Sequence, residues 1–211
     1  MTATQGPVPQ TVGILVFPDV EILDFCGPFQ VFSRAALPPE SEGGAERWLF
    51  NVISIAETAD LVACRGGLVV QPGATLHDHP PLDILVVPGG PGTWPVHENA
   101  VVLDWIAAQH QAGALTTSVC TGAFLLGAAG LLEGKRATTH WMFTEQLRQW
   151  RPGTEVVSEA RVVDEGAIII SAGISAGIDM ALSVVARLHG DEIARRTARF
   201  MEYDWAATTM A

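Results

Sequence analysis

The chain has 211 residues, of which 48% are hydrophobic and 17% charged; this is ample core material for one α/β domain and excludes the disordered class. Its formal charge of -11 disfavours nucleic acid and anionic membrane surfaces as partners, because an acidic chain repels phosphate. No apolar run reaches the roughly 18 to 20 residues of a membrane-spanning helix, and three irregularly spaced cysteines, with no basic and apolar blocks in the first ten residues, fit a reducing cytoplasm.

Met1 to Gln10 reads as a flexible tail, with a single domain over residues 11–211. Thr11 to Phe17 is an apolar run that predicts a buried strand. Ile22, Leu23, Phe25, Val31 and Phe32, with Gly27-Pro28 near the start, predict a short loop and then a helix over Gly27 to Ala36. Leu37 to Glu46, rich in Pro, Gly and Glu, reads as a surface loop, and Leu49 to Ile55 as a strand. Leu61 to Gln71, interrupted by Gly66-Gly67, reads as a β-hairpin whose turn needs positive φ.

Ile84-Leu-Val-Val87 followed by Pro88-Gly-Gly-Pro-Gly92 has the pattern of a fully buried parallel strand that empties into a glycine loop. In the next helix Val101, Leu103, Ile106 and Ala107 are expected to share a face, with Asn99 as cap and Gly113 as stop. Leu115 to Val119 predicts a strand and Thr121 to Ala129 a helix. Further on come a helix over Phe143 to Trp150, strands over Val156 to Val163 and Ile168 to Ser171, and helices over Ala176 to Leu188 and Asp191 to Met201. This alternation implies a parallel sheet covered on both faces, with active groups at the carboxyl ends of its strands. Asp24, Gly89-Gly90, Cys120 and Gly173 all follow strands.

Ser118-Val-Cys-Thr-Gly122 passes from strand to helix within one or two residues, which puts Cys120 on a sharp turn like the nucleophile elbow of hydrolases. The helix N-terminus is expected to lower the thiol pKa and favour the nucleophilic thiolate. The bland alternative is a buried inert cysteine, the expected fate of Cys26 and Cys64. Backbone N–H groups of Gly89 and Gly90, with that of Thr121, could form an oxyanion-type pocket; a plain loop is the alternative. Asp24, among apolar neighbours, is a candidate acid/base whose pKa burial would raise, or else a helix cap. Asp179 could cap or bridge. His77 and His79 lie in a Pro-rich turn without further ligands at suitable spacing, so no metal is assigned.

At these residues the chain resembles the ThiJ/PfpI family, whose domain is similar to class I glutamine amidotransferases. The matching pieces are Gly13-Ile-Leu-Val-Phe-Pro18, Leu23-Asp24 with Gly27-Pro28, Asp83 to Gly90, Ser118 to Gly122, Leu125 to Leu132, Gly134-Lys-Arg-Ala-Thr-Thr-His-Trp141 and Gly173-Ile-Ser-Ala-Gly-Ile-Asp179. The resemblance implies a flavodoxin-like three-layer αβα sandwich around a mostly parallel sheet. Within the family the likeness is greatest to the isonitrile hydratases, which implies a hydro-lyase without external cofactor in which Cys120, Asp24 and Thr121 carry the chemistry.

Family peptidases tend to pair the elbow cysteine with a following histidine, and Thr121 at that position counts against peptidase activity. Thr138-Thr-His-Trp141 also resembles the amidase-like domain of AraC-type regulators, with His140 read as a structural hydrogen-bonding residue. Phe25, Trp94 and Ile174 are expected to line a pocket for a small neutral substrate. The other readings kept open are a glyoxalase-like enzyme, another cysteine-dependent amidase or hydrolase, and a ligand- or redox-sensing domain. The regulator reading is weakened by the roughly 20 residues after Gly190, too few for a paired helix-turn-helix. The family also implies a homodimer.

Overall fold

The computed structural model describes residues 8–39 and 44–206. Its centre is a seven-stranded sheet built from β1 (Gln10–Leu15), β2 (Phe50–Ala56), β3 (Ala74–Thr75), β4 (Ile84–Val87), β5 (Leu115–Val119), β6 (Val162–Asp164) and β7 (Ile168–Ser171). The spatial order is β6-β7-β5-β4-β1-β2-β3. All neighbours are parallel except the edge pair β6 and β7. Every residue of β4 and of β7 is buried, as continuous apolar runs demand when helices cover both faces of a parallel sheet.

The helices are α1 (Ile22–Arg34), α2 (Thr93–Val96), α3 (Ala100–Gln111), α4 (Gly122–Ala128), α5 (Thr144–Trp150), α6 (Ala176–His189) and α7 (Asp191–Phe200). α1, α6 and α7 pack together as one helical layer, and α2, α3 and α4 as the other. Between them the fully buried Ile14, Leu15, Ile84, Leu85, Phe124 and Leu125 fill one continuous core. No helix among the described residues is long and apolar enough to cross a membrane.

Several boundaries move. α1 begins at Ile22 and not near Gly27, so Asp24 lies in its first turn and Pro28 inside the helix. Pro28 pointed to a start because proline prefers the first helical position, but the buried stripe Asp24, Phe25, Pro28, Val31, Phe32 keeps helical spacing through it. The N–H of Glu21 donates to the Gly89 carbonyl at 2.9 Å and anchors the entry. In α3 the buried face is Val102, Trp105 and Ile106; Val101 is exposed, correcting the expected register, because the aromatic Trp105 takes the core position. Asn99 does cap, accepting from the Val101 N–H at 3.1 Å, and Gly113 has φ 99°.

The stretch expected as one strand from Val156 to Val163 splits. Glu155–Val156 pairs with Arg136–Ala137, and the chain turns through the exposed Ser158 and Glu159 before β6. The hairpin is as expected, with Val62–Ala63 antiparallel to Val69–Val70 and φ of 81° and 90° at Gly66 and Gly67. Within the surface loop Leu37 pairs with Arg47, and residues 40–43 lie outside the described residues. Of the expected tail, residues 1–7 also lie outside them; Val8 and Pro9 are exposed and Gln10 already belongs to β1.

Candidate active site

β5 delivers the chain to Cys120, and α4 starts two residues later. Cys120 has φ 60°, a left-handed conformation that stores on the order of 1–3 kcal/mol in a residue with a Cβ and needs its surroundings to hold it. They do so. Its N–H lies 3.2 Å from the carbonyls of both Ser171 and Ala172, and its own carbonyl accepts from Thr139 Oγ1 at 2.8 Å. Gly122 completes the elbow: a Cβ there would come within 2.2 Å of the Val87 carbonyl oxygen, so only glycine lets α4 start against β4.

Asp24 reaches the same point from α1. Its side chain is fully buried, Oδ2 accepts from the Gly89 N–H at 3.0 Å, and Oδ1 has no hydrogen-bond partner. The Cys120 thiol lies close enough to interact with this carboxyl. Burial pushes the Asp24 pKa up to about 7, against the lowering effect of the Gly89 N–H and of the thiol.

The thiol corrects an expectation. Burial, and then the neighbouring Asp24 charge, push the Cys120 pKa up to about 12, and the N–H groups of Thr121 and Ile174 offset this only in part. The helix-terminus effect of a polar, solvated elbow is overridden by desolvation, so Cys120 and Asp24 behave as a pair holding one proton between them.

The glycine turn also serves a different purpose from the expected one. The Gly89 N–H is taken by Asp24 and the Gly90 N–H donates to Thr121 Oγ1 at 2.9 Å, so neither is free to meet charge on a substrate. Thr121 Oγ1 also lies 2.9 Å from Thr93 Oγ1. Gly89 and Gly90 thus orient the carboxylate and tie the elbow to the loop. The backbone N–H groups that act on the sulfur, each lowering the thiol pKa, are those of Thr121 and Ile174. Ile174 has φ 55°, an outlying conformation for a β-branched residue.

A cavity of about 320 Å³ opens over the thiol. Cys120, Thr121, Gly90, Trp94 and Ile174 line it as the sequence suggested; Phe25 does not, being packed in the core at 4% exposure. Sequence reasoning missed Glu21, Arg65, Met142 and Phe143, which also form part of the wall. Only the hairpin hinted at Arg65: its glycine turn folds back so that Arg65 N–H donates to the Val20 carbonyl and the guanidinium pairs with Glu21 at 3.6 Å. His140 also lines the cavity. Its Nδ1 accepts from the Met142 N–H at 3.3 Å, in keeping with a structural role, and burial lowers its pKa.

Away from the cavity, Asp179 bridges to Arg161. Cys26 and Cys64 are free thiols whose pKa burial raises. His79 accepts from Trp105 Nε1, and no group of three or more potential metal-ligating side chains occurs among the described residues.

Residues 10–187 match the family model of the DJ-1/PfpI family. The chain belongs to that family. Among DJ-1/PfpI relatives, an isonitrile hydratase from Pseudomonas putida is 40% identical over 192 residues, covering 91% of this chain and 78% of the relative. A glutathione-independent glyoxalase, DJR-1.2 of Caenorhabditis elegans, is 27% identical over 167 residues, covering 74% of this chain and 88% of the relative. The crystal structure of a ThiJ/PfpI family protein from Pseudomonas syringae superposes with a TM-score of 0.81 at 32% identity, covering 94% of this chain and 77% of the other. The expected α/β architecture is therefore that of this DJ-1/PfpI member.

Proposed function

We propose that this DJ-1/PfpI protein hydrates an isonitrile, R-NC, to the N-substituted formamide. The observation that carries the reading is the buried Cys120–Asp24 pair beneath a largely apolar cavity; the likeness to an isonitrile hydratase supports it.

The chemistry starts from a thiol and a carboxylate. An isonitrile's terminal carbon accepts both a nucleophile and a proton, so the S–H of Cys120 adds across it. Asp24 takes the thiol proton as the S–C bond forms and delivers it to that carbon. The product is a thioimidate, Cys-S-CH=N-R, with nothing lost. Asp24 takes a proton from water as the water attacks the same carbon and passes it to the nitrogen, giving the tetrahedral adduct R-NH-CH(OH)-S-Cys. The adduct expels the sulfur, and Asp24 carries the adduct's hydroxyl proton to it, leaving R-NH-CHO and the free thiol.

A raised Asp24 pKa suits both steps, since a carboxyl near neutrality exchanges protons readily in either direction. The Thr121 and Ile174 N–H groups stabilise the sulfur as it gains charge and again as it leaves. The cavity wall of Trp94, Phe143 and Ile174 fits a neutral, apolar R group. The reading includes no external cofactor and a cytoplasmic homodimer.

Turnover of an aromatic isonitrile by purified protein, followed as formamide formed, tests the assignment. Activity is expected in the wild type and absence of it in Cys120→Ala; no wild-type turnover would remove the assignment, and unchanged turnover in the variant would remove the mechanism. Lactate formed from methylglyoxal, measured alongside, would move the reading to the glyoxalase relatives.

A further inference from the structure

Asp179 is a buried carboxylate that the proposed chemistry does not use, and its partners converge on the turn that supplies a donor to Cys120. Arg161 donates from Nε to Asp179 Oδ2 at 2.6 Å, and its Nη2 lies 2.5 Å from the same oxygen. That Nη2 also donates to Ser175 Oγ at 3.2 Å. The Tyr203 hydroxyl completes the group, lying 3.1 and 3.2 Å from the two carboxylate oxygens. From its backbone, Arg161 accepts the Ala172 N–H at 2.9 Å. One residue therefore grips Ala172 on one side of Gly173-Ile174 and Ser175 and Asp179 on the other.

What lies between these grips is the strained point of the turn. Ile174 has φ 55°, which a β-branched residue leaves unless neighbouring contacts over-determine it. Ile174 lines the cavity beside Cys120, the same turn accepts the Cys120 N–H at the Ala172 carbonyl at 3.2 Å, and the Ile174 N–H acts on the sulfur to lower the thiol pKa; rotating Ile174 into an ordinary backbone region would carry that N–H away. A planar guanidinium that forks between a carboxylate and a hydroxyl fixes direction as well as distance. Asp179, 5% exposed, is itself held in α6 by the packing of that helix against α1 and α7.

We propose that Arg161, Asp179 and Tyr203 form a positioning brace that holds the Ile174 N–H on the Cys120 sulfur. The role rests on the reading of Cys120 as nucleophile. None of the three lines the cavity, so they act through the backbone of the turn and not on the substrate.

The test is the rate at which iodoacetamide alkylates Cys120, resolved from Cys26 and Cys64 by peptide mass mapping, between about pH 6 and pH 10. With Arg161→Met the Cys120 rate is expected to fall about tenfold on the rising limb, which shifts to higher pH, because a thiolate that loses one N–H donor is harder to form. Arg161→Lys keeps the charge but not the fork and should recover part of the rate. Tyr203→Phe removes one hydroxyl, so a fall of about twofold to fivefold is expected. Arg187→Met, which breaks an ion pair with Asp164 away from the turn, should match the wild type.

Profiles of Arg161→Met and Asp179→Asn that superpose on the wild type overturn the brace while leaving Cys120 as nucleophile; if either fails to fold, Tyr203→Phe decides. Isonitrile turnover that is undiminished in Cys120→Ala overturns the nucleophile reading and the brace with it.

Discussion

At Asp24 the demands of stability and of the proposed chemistry point in opposite directions. Its carboxyl is buried and its pKa raised to about 7, so the folded state holds a proton that the unfolded chain releases near the ordinary value of 3.8. The contribution of Asp24 to stability is therefore greatest below that ordinary value and is lost as pH rises towards and through 7. The first catalytic step instead needs the carboxylate to take the thiol proton. Turnover, as kcat/KM, should rise about tenfold per pH unit below 7 and then level off, the thiol titrating far above. Asp24→Asn is expected to abolish turnover and to stabilise the protein above pH 7, on the order of 3 kcal/mol by denaturant unfolding, with the gain vanishing towards pH 4.

Thr121 is expected to matter through the loop. Thr121→Val leaves the Gly90 N–H and Thr93 Oγ1 without their shared partner and should cost about 1–3 kcal/mol, whereas Thr121→Ser should cost little, both read by thermal unfolding. Cys120 and Asp24 were legible as candidates because each follows a strand in an α/β alternation. The direction of the thiol pKa was not, because it depends on how deeply the pair is buried together and on which N–H groups have been taken by other acceptors. Neither is written in local sequence.

Among the elements, β4, β5, β7 and α6 lie where their sequences placed them, β4 and β7 through short apolar runs and α6 through apolar residues at helical spacing. α1 was not, since Pro28 mimics a helix start while the true entry is fixed by the Glu21–Gly89 hydrogen bond from a distant loop. The hairpin was legible as a hairpin, but not as the carrier of Arg65 to the cavity, because pairing partners far apart in sequence decide that. Two substitutions probe helix starts that the sequence signalled. Gly122→Ala should destabilise by at least about 2 kcal/mol, since its Cβ would meet the Val87 carbonyl and the Pro88 backbone. Asn99→Ala should cost about 1 kcal/mol through loss of the α3 cap.

For the molecule as a whole, the charge of -11 and a mostly apolar cavity suit a substrate that carries no charge. Electrostatic steering acts on charged partners, so kcat/KM for a neutral isonitrile should change by less than about twofold between low and high salt. Much of the sheet order follows from the alternation of strands and helices, but the meeting of α1, the glycine turn, the elbow and the Gly173–Ser175 turn at one thiol is a property of the assembled layers. The proposed function depends on that meeting. Its most direct test is the mass of the Cys120 peptide after acid quenching of wild-type protein during turnover of an aromatic isonitrile. A gain equal to the whole isonitrile, with no atom lost, is expected from addition of S–H across the terminal carbon. Formamide production without any such adduct at Cys120, and undiminished in Cys120→Ala, would contradict it.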